Sequence, residues 1–370
     1  MGKVELLDPS SAAFRSHHSI LTNLLLLLLL IPAAAAHHDA GISATSPFEG
    51  MYAWGDSLTD TGNALLYQLS LNIDAPLGGH LPYGQTFFHY PTGRISDGRI
   101  VVDFLAKRVK APAFLAPYLG LNGTEISLVN FAVGGATALN VDYLNATYNI
   151  SAPISYSIDK QLQWFSTLPV SKDKKTFSKA LVYFGQIGVN DYNVASKKGI
   201  SIKRIITEFV PAVVKVIQNA LEFLIKKGAK YLVIEGGYPI GCTPYYTNAT
   251  TNQYGCVEHL QRLNAVHDKL LKQVVHNLTI KYNQHVDIVF FDQSKAYTEL
   301  LKHPSLYGFT NTTDACFDNL TTVVACSRPS TYLNWDDIHF TEAANRALFN
   351  LFFTKGFASP YPNFLTSKSF

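Results

Sequence analysis

Charged residues are scarce in this chain: they make up 15% of its 370 residues, whereas hydrophobic residues make up 47%. A chain with so little charge and so much apolar side-chain surface folds, which excludes an intrinsically disordered protein. The 30 basic and 27 acidic residues leave a formal net charge of only +3. Nucleic-acid binding needs a concentrated basic surface, and this balance does not supply one. We therefore expect a globular protein without a nucleic-acid partner.

The sequence also lacks the stretch of about 20 apolar residues that crosses a membrane. Its longest apolar run, Leu24–Ile31, follows two basic residues and precedes the small-residue pattern Ala34-x-Ala36. A basic start, a short apolar centre and Ala-x-Ala are typical of a cleaved secretory signal peptide. We predict a signal peptide over residues 1–36, one mature domain over residues 37–370, and no stable membrane span. An uncleaved membrane anchor is the alternative.

Cysteine is rare, and its number is even: the chain contains Cys242, Cys256, Cys316 and Cys326. Cysteines pair in the oxidising secretory pathway, and four cysteines allow three connectivities. The local pairings Cys242–Cys256 and Cys316–Cys326 close short loops, and we predict these two. A zinc site is the alternative, but no Cys-x-x-Cys spacing occurs, so we expect no metal.

N-glycosylation sequons, in contrast, are numerous. A cytosolic chain would not use them, whereas seven of them after a signal peptide indicate a surface that carries N-linked glycans. We therefore expect an extracellular protein, with the vacuole as an alternative destination. The seven sequons begin at Asn122, Asn145, Asn149, Asn248, Asn277, Asn311 and Asn319.

Strand and helix patterns alternate along the chain. Apolar, β-branched or aromatic runs occur at 51–54, 126–132, 180–184, 231–234 and 286–291. Helical periodicity is clearest over Ile205–Ile225, which precedes Gly228, and another helix is predicted from Val257 to about Ile280. Near-continuous apolar strands separated by amphipathic helices indicate a parallel sheet that is covered on both faces. We predict a single three-layer α/β/α domain.

Ligands of such sheets bind outside the carboxyl ends of the strands, so the residues that follow each strand are candidates for function. Ser57 follows the first strand and is placed as a nucleophile, although a helix N-cap is the plain alternative. Gly134 and Gly135 follow the second strand and can present bare backbone N–H groups, or form only a tight turn. Asn190 follows the third strand and can donate to an oxyanion, or belong to a simple turn.

A histidine base for Ser57 is available near the C-terminus, in Trp335-Asp336-Asp337-Ile338-His339. His339 needs an acceptor on its second ring nitrogen. Residues three apart share a face of a helical turn, and we expect such a turn before a helix that starts near Thr341, so we assign this role to Asp336 rather than Asp337. The alternative is a surface loop with a satisfied histidine.

Taken together and in this order, these segments are specific. The sequence resembles the plant group of GDSL esterases/lipases, a branch of the SGNH hydrolases. The resemblance rests on these segments of the chain: Gly55–Asn63, Pro91–Gly98, Asn130–Ala136, Gly188–Asp191 and Asp336–His339.

The resemblance implies a fold and a set of site residues. The fold is a five-stranded parallel sheet between helices, the flavodoxin-like SGNH hydrolase fold. Ser57 would be the nucleophile and His339 the base, oriented by Asp336. The oxyanion donors would be the backbone N–H groups of Ser57 and Gly135 and the side chain of Asn190. No cofactor or metal is required.

The resemblance also implies an activity. The protein would be a secreted carboxylic-ester hydrolase that forms an acyl-enzyme with a small ester, such as an acetyl, phenolic or lipid ester. An acyltransferase on the same residues is one alternative. A catalytically silent secreted binding or defence protein is another. The sequence does not choose a natural substrate within this range.

Overall fold

The computed structural model describes most of the chain after the N-terminal segment. The predicted signal peptide and the sequon residues Asn248 and Asn319 lie outside the described residues. The described residues belong to one structural unit, and none of their helices is long and apolar enough to cross a membrane. The described ranges are 46–123, 126–152, 154–246, 251–282, 285–318 and 324–365.

A seven-stranded sheet forms the centre of the domain. In spatial order its strands are β2-β3-β1-β4-β5-β6-β9. A separate parallel pair, β7 and β8, directly precedes the segment Trp335–His339. The strands are β1 (Gly50–Trp54), β2 (Ala116–Pro117), β3 (Leu128–Asn130), β4 (Ala180–Phe184), β5 (Tyr231–Glu235), β6 (Asp287–Phe291), β7 (Asn311–Ala315), β8 (Tyr332–Asn334) and β9 (Ala358–Ser359).

The predicted parallel strands are confirmed, but the predicted number of strands is too small. Strands β3, β1, β4, β5 and β6 are mutually parallel neighbours. The sheet continues at its edges with β2, which is parallel, and β9, which is antiparallel. Each edge strand has only two residues, so it shows no side-chain alternation by which a sequence pattern could reveal it.

Helices cover both faces of the sheet. They are α1 (Asn63–Ser70), α2 (Val101–Arg108), α3 (Val141–Tyr148), α4 (Ile158–Thr167), α5 (Lys174–Phe177), α6 (Val189–Lys197), α7 (Ile202–Arg204), α8 (Val210–Lys227), α9 (Glu258–Lys281), α10 (Gln293–Lys302) and α11 (Glu342–Thr354). Side chains of β1 alternate between two cores: Tyr52 and Trp54 pack with α4, α8 and α9, and Met51 and Ala53 pack with α2, α10 and α11. Each large apolar side chain buried in this way stabilises the fold by about 1.5–3 kcal/mol.

The helix predicted over Ile205–Ile225 is interrupted near its start. A π-helical turn, Ile205–Phe209, joins α7 to α8, and Pro211 lies in the first turn of α8. Proline lacks the N–H that would continue a regular helix, and a wider turn accommodates it. The predicted end of this helix is confirmed, because α8 is followed by Gly228 as its C-cap, with a φ of 121°.

Both predicted disulfides are present. Cys242 is bonded to Cys256 and Cys316 to Cys326, and no cysteine in the described ranges is free. The second disulfide lies beside β8, since Cys316 N–H donates to the carbonyl of Asn334 at 3.1 Å. It therefore braces the chain just before the segment Trp335–His339.

Candidate active site

The loops after β1, β3 and β4 meet at the carboxyl edge of the sheet. The backbone N–H of Asp56 donates to the carbonyl of Gln186 at 2.9 Å, and that of Val133 donates to Gly55 at 3.3 Å. The side chain of Gln161 also bonds both the N–H and the carbonyl of Gly55, at 3.1 and 2.8 Å. The sheet order thus places Ser57 between the other two loops, as the position of ligand sites in parallel sheets predicts.

Buried polar residues of the motifs link these loops. The Asp60 carboxylate accepts backbone N–H groups from Gly62, Asn63 and Ala64 at the start of α1, and from Gly134 across the sheet edge, at 2.7–2.9 Å. Sequence reasoning missed Asp60, although an acidic residue just before a helix is a known N-terminal signal. Its second bond, to Gly134, is a tertiary contact that no local pattern reveals.

Ser57, His339 and Asp336 form a continuous hydrogen-bonded series. His339 Nε2 lies 2.8 Å from Ser57 Oγ, and His339 Nδ1 lies 2.9 and 3.0 Å from the two carboxylate oxygens of Asp336. The exposed fraction is 8% for Ser57 and 6% for each of the other two. The structure therefore brings together the three residues that the sequence singled out, in a largely desolvated setting.

Asp336 is held by its own loop. Its Oδ1 accepts the backbone N–H groups of Ile338 at 2.9 Å and His339 at 2.7 Å. Burial opposes ionisation of this carboxyl, but His339 and the two N–H groups outweigh burial and keep its pKa below the usual value. Asp336 is thus prepared to act as the charged acceptor that orients the imidazole.

The predicted helical turn at Asp336 is wrong, although Asp336 is the aspartate whose carboxylate contacts His339 Nδ1. Residues 335–338 form successive bends, and α11 begins only at Glu342, with Thr341 as its N-cap. Asp337 is partly exposed, and its backbone carbonyl accepts the N–H of Tyr245 at 3.0 Å. The side chain of Asp336, bonded back to its own loop, produces the i,i+3 pairing that a helix would otherwise have provided.

The candidate oxyanion donors belong to the three loops that meet at the carboxyl edge of the sheet. Gly134 N–H is already engaged by Asp60, whereas Gly135 adopts a φ of 83° and, within the described ranges, donates to no acceptor. The same holds for the N–H of Ser57. Asn190, in the first turn of α6, donates from Nδ2 to the carbonyl of Ala136 at 2.9 Å, which places its amide against the glycine turn.

The segment Pro91–Gly98 anchors the residues that directly follow His339. Ser96 Oγ donates to the carbonyl of Phe340 at 3.0 Å, and Asp97 accepts the N–H of Glu342 at 2.6 Å. Both contacts are buried. The segment Pro91–Gly98 carried the family resemblance without an assigned role, and the structure shows that it holds the residues directly after the histidine.

Two buried carboxyl groups at the ends of strands have raised pKa values. Burial raises the pKa of Asp56 to about 7 and that of Glu235 to about 8. Tyr183 donates a hydrogen bond to Glu235, and both side chains are fully enclosed. Among the described residues, no group of three or more His, Cys, Asp or Glu side chains is arranged to hold a metal ion.

A three-layer α/β/α fold with serine, histidine and aspartate together at the carboxyl edge of its parallel sheet fits the SGNH class of ester hydrolases. The family model described as "GDSL-like Lipase/Acylhydrolase" matches residues 51–352. The chain belongs to this family, and it is a carboxylic-ester hydrolase.

Curated relatives from plants agree with this assignment. Acetylajmalan esterase 2 of Rauvolfia serpentina is 36% identical over 326 residues, which cover 81% of this chain and 88% of the relative. A GDSL esterase/lipase of Arabidopsis thaliana is 36% identical over 330 residues, with coverage of 81% and 82%. Among solved structures, phospholipase A1 from Streptomyces albidoflavus NA297 aligns with a TM-score of 0.37 and 17% identity over 82% of this chain and 97% of that one.

Proposed function

We propose that this protein hydrolyses a small carboxylic ester through an acyl-enzyme formed on Ser57. The observation that carries the proposal is the 2.8 Å contact between Ser57 Oγ and His339 Nε2, with Asp336 on the opposite ring nitrogen. A serine hydroxyl becomes a nucleophile when an adjacent base takes its proton, and the base works when a third group orients it.

The steps follow from this arrangement. Ser57 Oγ attacks the ester carbonyl carbon while His339 Nε2 takes the hydroxyl proton. The tetrahedral intermediate collapses, the bond to the alcohol breaks, and His339 returns the proton to the leaving alkoxide. A water molecule, deprotonated by His339, then attacks the acyl-enzyme. The bond from the acyl carbon to Ser57 Oγ breaks, His339 returns the proton to Ser57 Oγ, and the acid is released.

The negative oxygen of each tetrahedral intermediate would bind to the N–H groups of Ser57 and Gly135 and to Asn190 Nδ2. Two observations support this assignment. Both N–H groups lack an acceptor within the described ranges, and the Asn190 amide retains one N–H beyond its bond to Ala136. Donors that are fixed before the reaction stabilise developing charge without having to reorganise.

An acetyl or similarly short acyl ester is the substrate class that we place first. The support is the name of one relative, acetylajmalan esterase 2, which is 36% identical to this chain. Phenolic and lipid esters are the other members of the class expected from the sequence. A series of p-nitrophenyl acetate, butyrate and octanoate would rank the acyl lengths, and the proposal expects the highest kcat/KM for acetate.

The test compares the purified protein with Ser57→Ala and with Ser70→Ala, an exposed serine of α1. Ser57→Ala is expected to lose at least about 10³-fold in kcat, and Ser70→Ala to match the parent. A folded Ser57→Ala protein with parental kcat would overturn the assignment. An added alcohol that captures most of the acyl group would identify an acyltransferase, and a parent protein inactive on every ester would indicate a silent scaffold.

We also propose that the protein is secreted and glycosylated. The two disulfides fit an oxidising compartment. Asn145, Asn149 and Asn277 are exposed on or beside helices, whereas Asn311 is partly buried and its amide bonds Asp314. Protein recovered from the medium should lose mass with an N-glycosidase. Retention in the vacuole would contradict secretion, and an unchanged mass would contradict glycosylation.

A further inference from the structure

A tyrosine from a distant segment contacts the acid of the candidate triad. The Tyr83 hydroxyl donates to Asp336 Oδ2 at 3.2 Å, although 253 positions separate the two residues. Within the described ranges, the side chains that contact the Asp336 carboxylate by a hydrogen bond are those of His339 and Tyr83. Because Tyr83 is fully buried, with an exposed fraction of 0%, it has no surface with which to touch a substrate.

The surroundings of Tyr83 fix its ring. Its ring centroid lies 5.5 Å from that of Phe317 and 5.9 Å from that of Trp335, both edge-on. With Ile95 and Cys316, these three side chains form a small separate core. Phe317 follows the disulfide residue Cys316, and its N–H donates to the Trp335 carbonyl at 2.7 Å. The phenol therefore reaches Asp336 from a buried aromatic cluster.

We propose that Tyr83 is a positioning residue of the ester hydrolase: its hydroxyl fixes the Asp336 carboxylate in the plane in which both oxygens face His339. The inference rests on the proposed function, in which His339 is the base. Asp336 Oδ1 is held by two backbone N–H groups of its own loop, whereas Tyr83 binds Oδ2 from another segment. Without this donor, the contact that Oδ2 keeps within the described ranges is the one with His339, the ring that the carboxylate has to orient.

The hydroxyl also moderates the charge of the carboxylate. A hydrogen bond to an ionised carboxyl stabilises the ionised form. Its loss leaves Asp336 more basic and strengthens the attraction between the carboxylate and a protonated imidazole. The acid limb of the kcat/KM profile, where imidazole protonation stops the reaction, should therefore move to higher pH.

Other ionisable groups act on the same pair and stay unchanged in the test. Asp56 interacts electrostatically with His339, while Asp337 and Tyr238 interact with Asp336. Tyr238 also donates to the carbonyl of Ile338 in the same loop. A shift measured on removal of the Tyr83 hydroxyl alone is thus assigned to Tyr83 and not to these neighbours.

The experiment compares Tyr83→Phe with Tyr52→Phe. The control removes the hydroxyl of another buried tyrosine, which donates to the carbonyl of Ile126 at 2.9 Å and belongs to β1. For Tyr83→Phe we expect kcat to fall about 3- to 30-fold with little change in KM, and the acid limb to rise by up to about one pH unit. Tyr52→Phe should leave both unchanged.

Equal kcat and equal pH profiles for the two variants would overturn the inference, and so would a change in KM alone. Ser57→Ala is assayed beside them. If Ser57→Ala keeps its activity, the proposed function fails. If Ser57→Ala loses activity but Tyr83→Phe behaves like the parent, only the positioning role fails. A readout without turnover is the downfield proton resonance of His339 Nδ1–H in the Ser57→Ala background. Its pH midpoint should rise with Tyr83→Phe and not with Tyr52→Phe, and an unmoved midpoint counts against the inference.

Discussion

The guanidinium of Arg99 and the carboxylate of Glu342 form a buried ion pair at 2.7 Å across 243 positions of the chain. The other carboxylate oxygen of Glu342 accepts the backbone N–H of Arg99 at 2.9 Å. Glu342 is three residues beyond His339, in the first turn of α11. Together with Ser96 and Asp97, the pair holds this part of the chain where the imidazole reaches Ser57.

Arg99→Gln is therefore expected to reduce both stability and activity. Loss of one partner leaves a charge buried without compensation, which costs about 3 kcal/mol or more in the free energy of unfolding. The kcat should fall more than KM rises, because the histidine loop loses an anchor. Urea unfolding and steady-state kinetics measure the two effects.

The matched control for Arg99→Gln is Arg204→Gln, which breaks the exposed pair Arg204–Glu208 on the protein surface. Exposed pairs contribute little because solvent screens them. A variant of Arg99 as stable and active as that of Arg204 would contradict the anchoring role.

Asp336→Asn should impair catalysis far more than Asp337→Asn. The amide of asparagine keeps the shape of the side chain but favours the wrong imidazole tautomer. In the Ser-His-Asp triad of a serine protease, the equivalent change lowers kcat about 10⁴-fold. We expect a loss on the order of 10²-fold or more for Asp336→Asn, because the oxyanion donors remain, and less than about tenfold for Asp337→Asn. Kinetics on one soluble ester compare the two, and a larger loss for Asp337→Asn would reverse the assignment.

Asn190→Ala tests the oxyanion site. Removal of one such donor typically lowers kcat about 10²- to 10³-fold, with kcat/KM reduced in parallel, because the interaction forms only as charge develops. Asn193→Ala is the control: it lies on the same helix and accepts a hydrogen bond from Tyr246. If both variants lose activity to the same extent, Asn190 acts through the stability of α6 and not on the oxyanion.

Glu235→Gln should stabilise the protein at alkaline pH. Burial raises the pKa of Glu235 to about 8, whereas an unfolded glutamate titrates near about 4.3. The contribution of this carboxyl to stability is thus fully present below pH ~4 and is lost as the pH rises through about 8. Glutamine stays neutral and can still accept the Tyr183 hydroxyl.

The measurement for Glu235→Gln is the free energy of unfolding at pH 5 and pH 8.5. The advantage of the variant over the parent should grow between these values, by an amount on the order of a few kcal/mol. Glu49→Gln, at an exposed position beside Lys179, is the control. A difference that does not depend on pH would refute the assignment of a protonated Glu235.

Much of this protein was predictable from local patterns. The strand at Ala180–Phe184 and the helix end at Gly228 match the structure, since apolar runs and C-cap glycines are signals carried by neighbouring residues. The same patterns predicted a helical turn at Asp336, which the structure replaces with bends. The edge strands β2 and β9 were missed because two residues carry no period.

The chemistry of single residues and their order along the chain determined which serine, histidine and aspartate were candidates, since Ser57 follows a predicted strand and the Asp336–His339 segment precedes a predicted helix. Their roles in catalysis stay proposals, to be tested as above. Tertiary structure alone decided that Tyr83 reaches Asp336 and that Arg99 reaches Glu342. More than 240 positions separate each pair, and only the packing of the whole sheet and its helices brings such residues within hydrogen-bond distance, because a hydrogen bond acts over about 3 Å and leaves no local signal in the sequence.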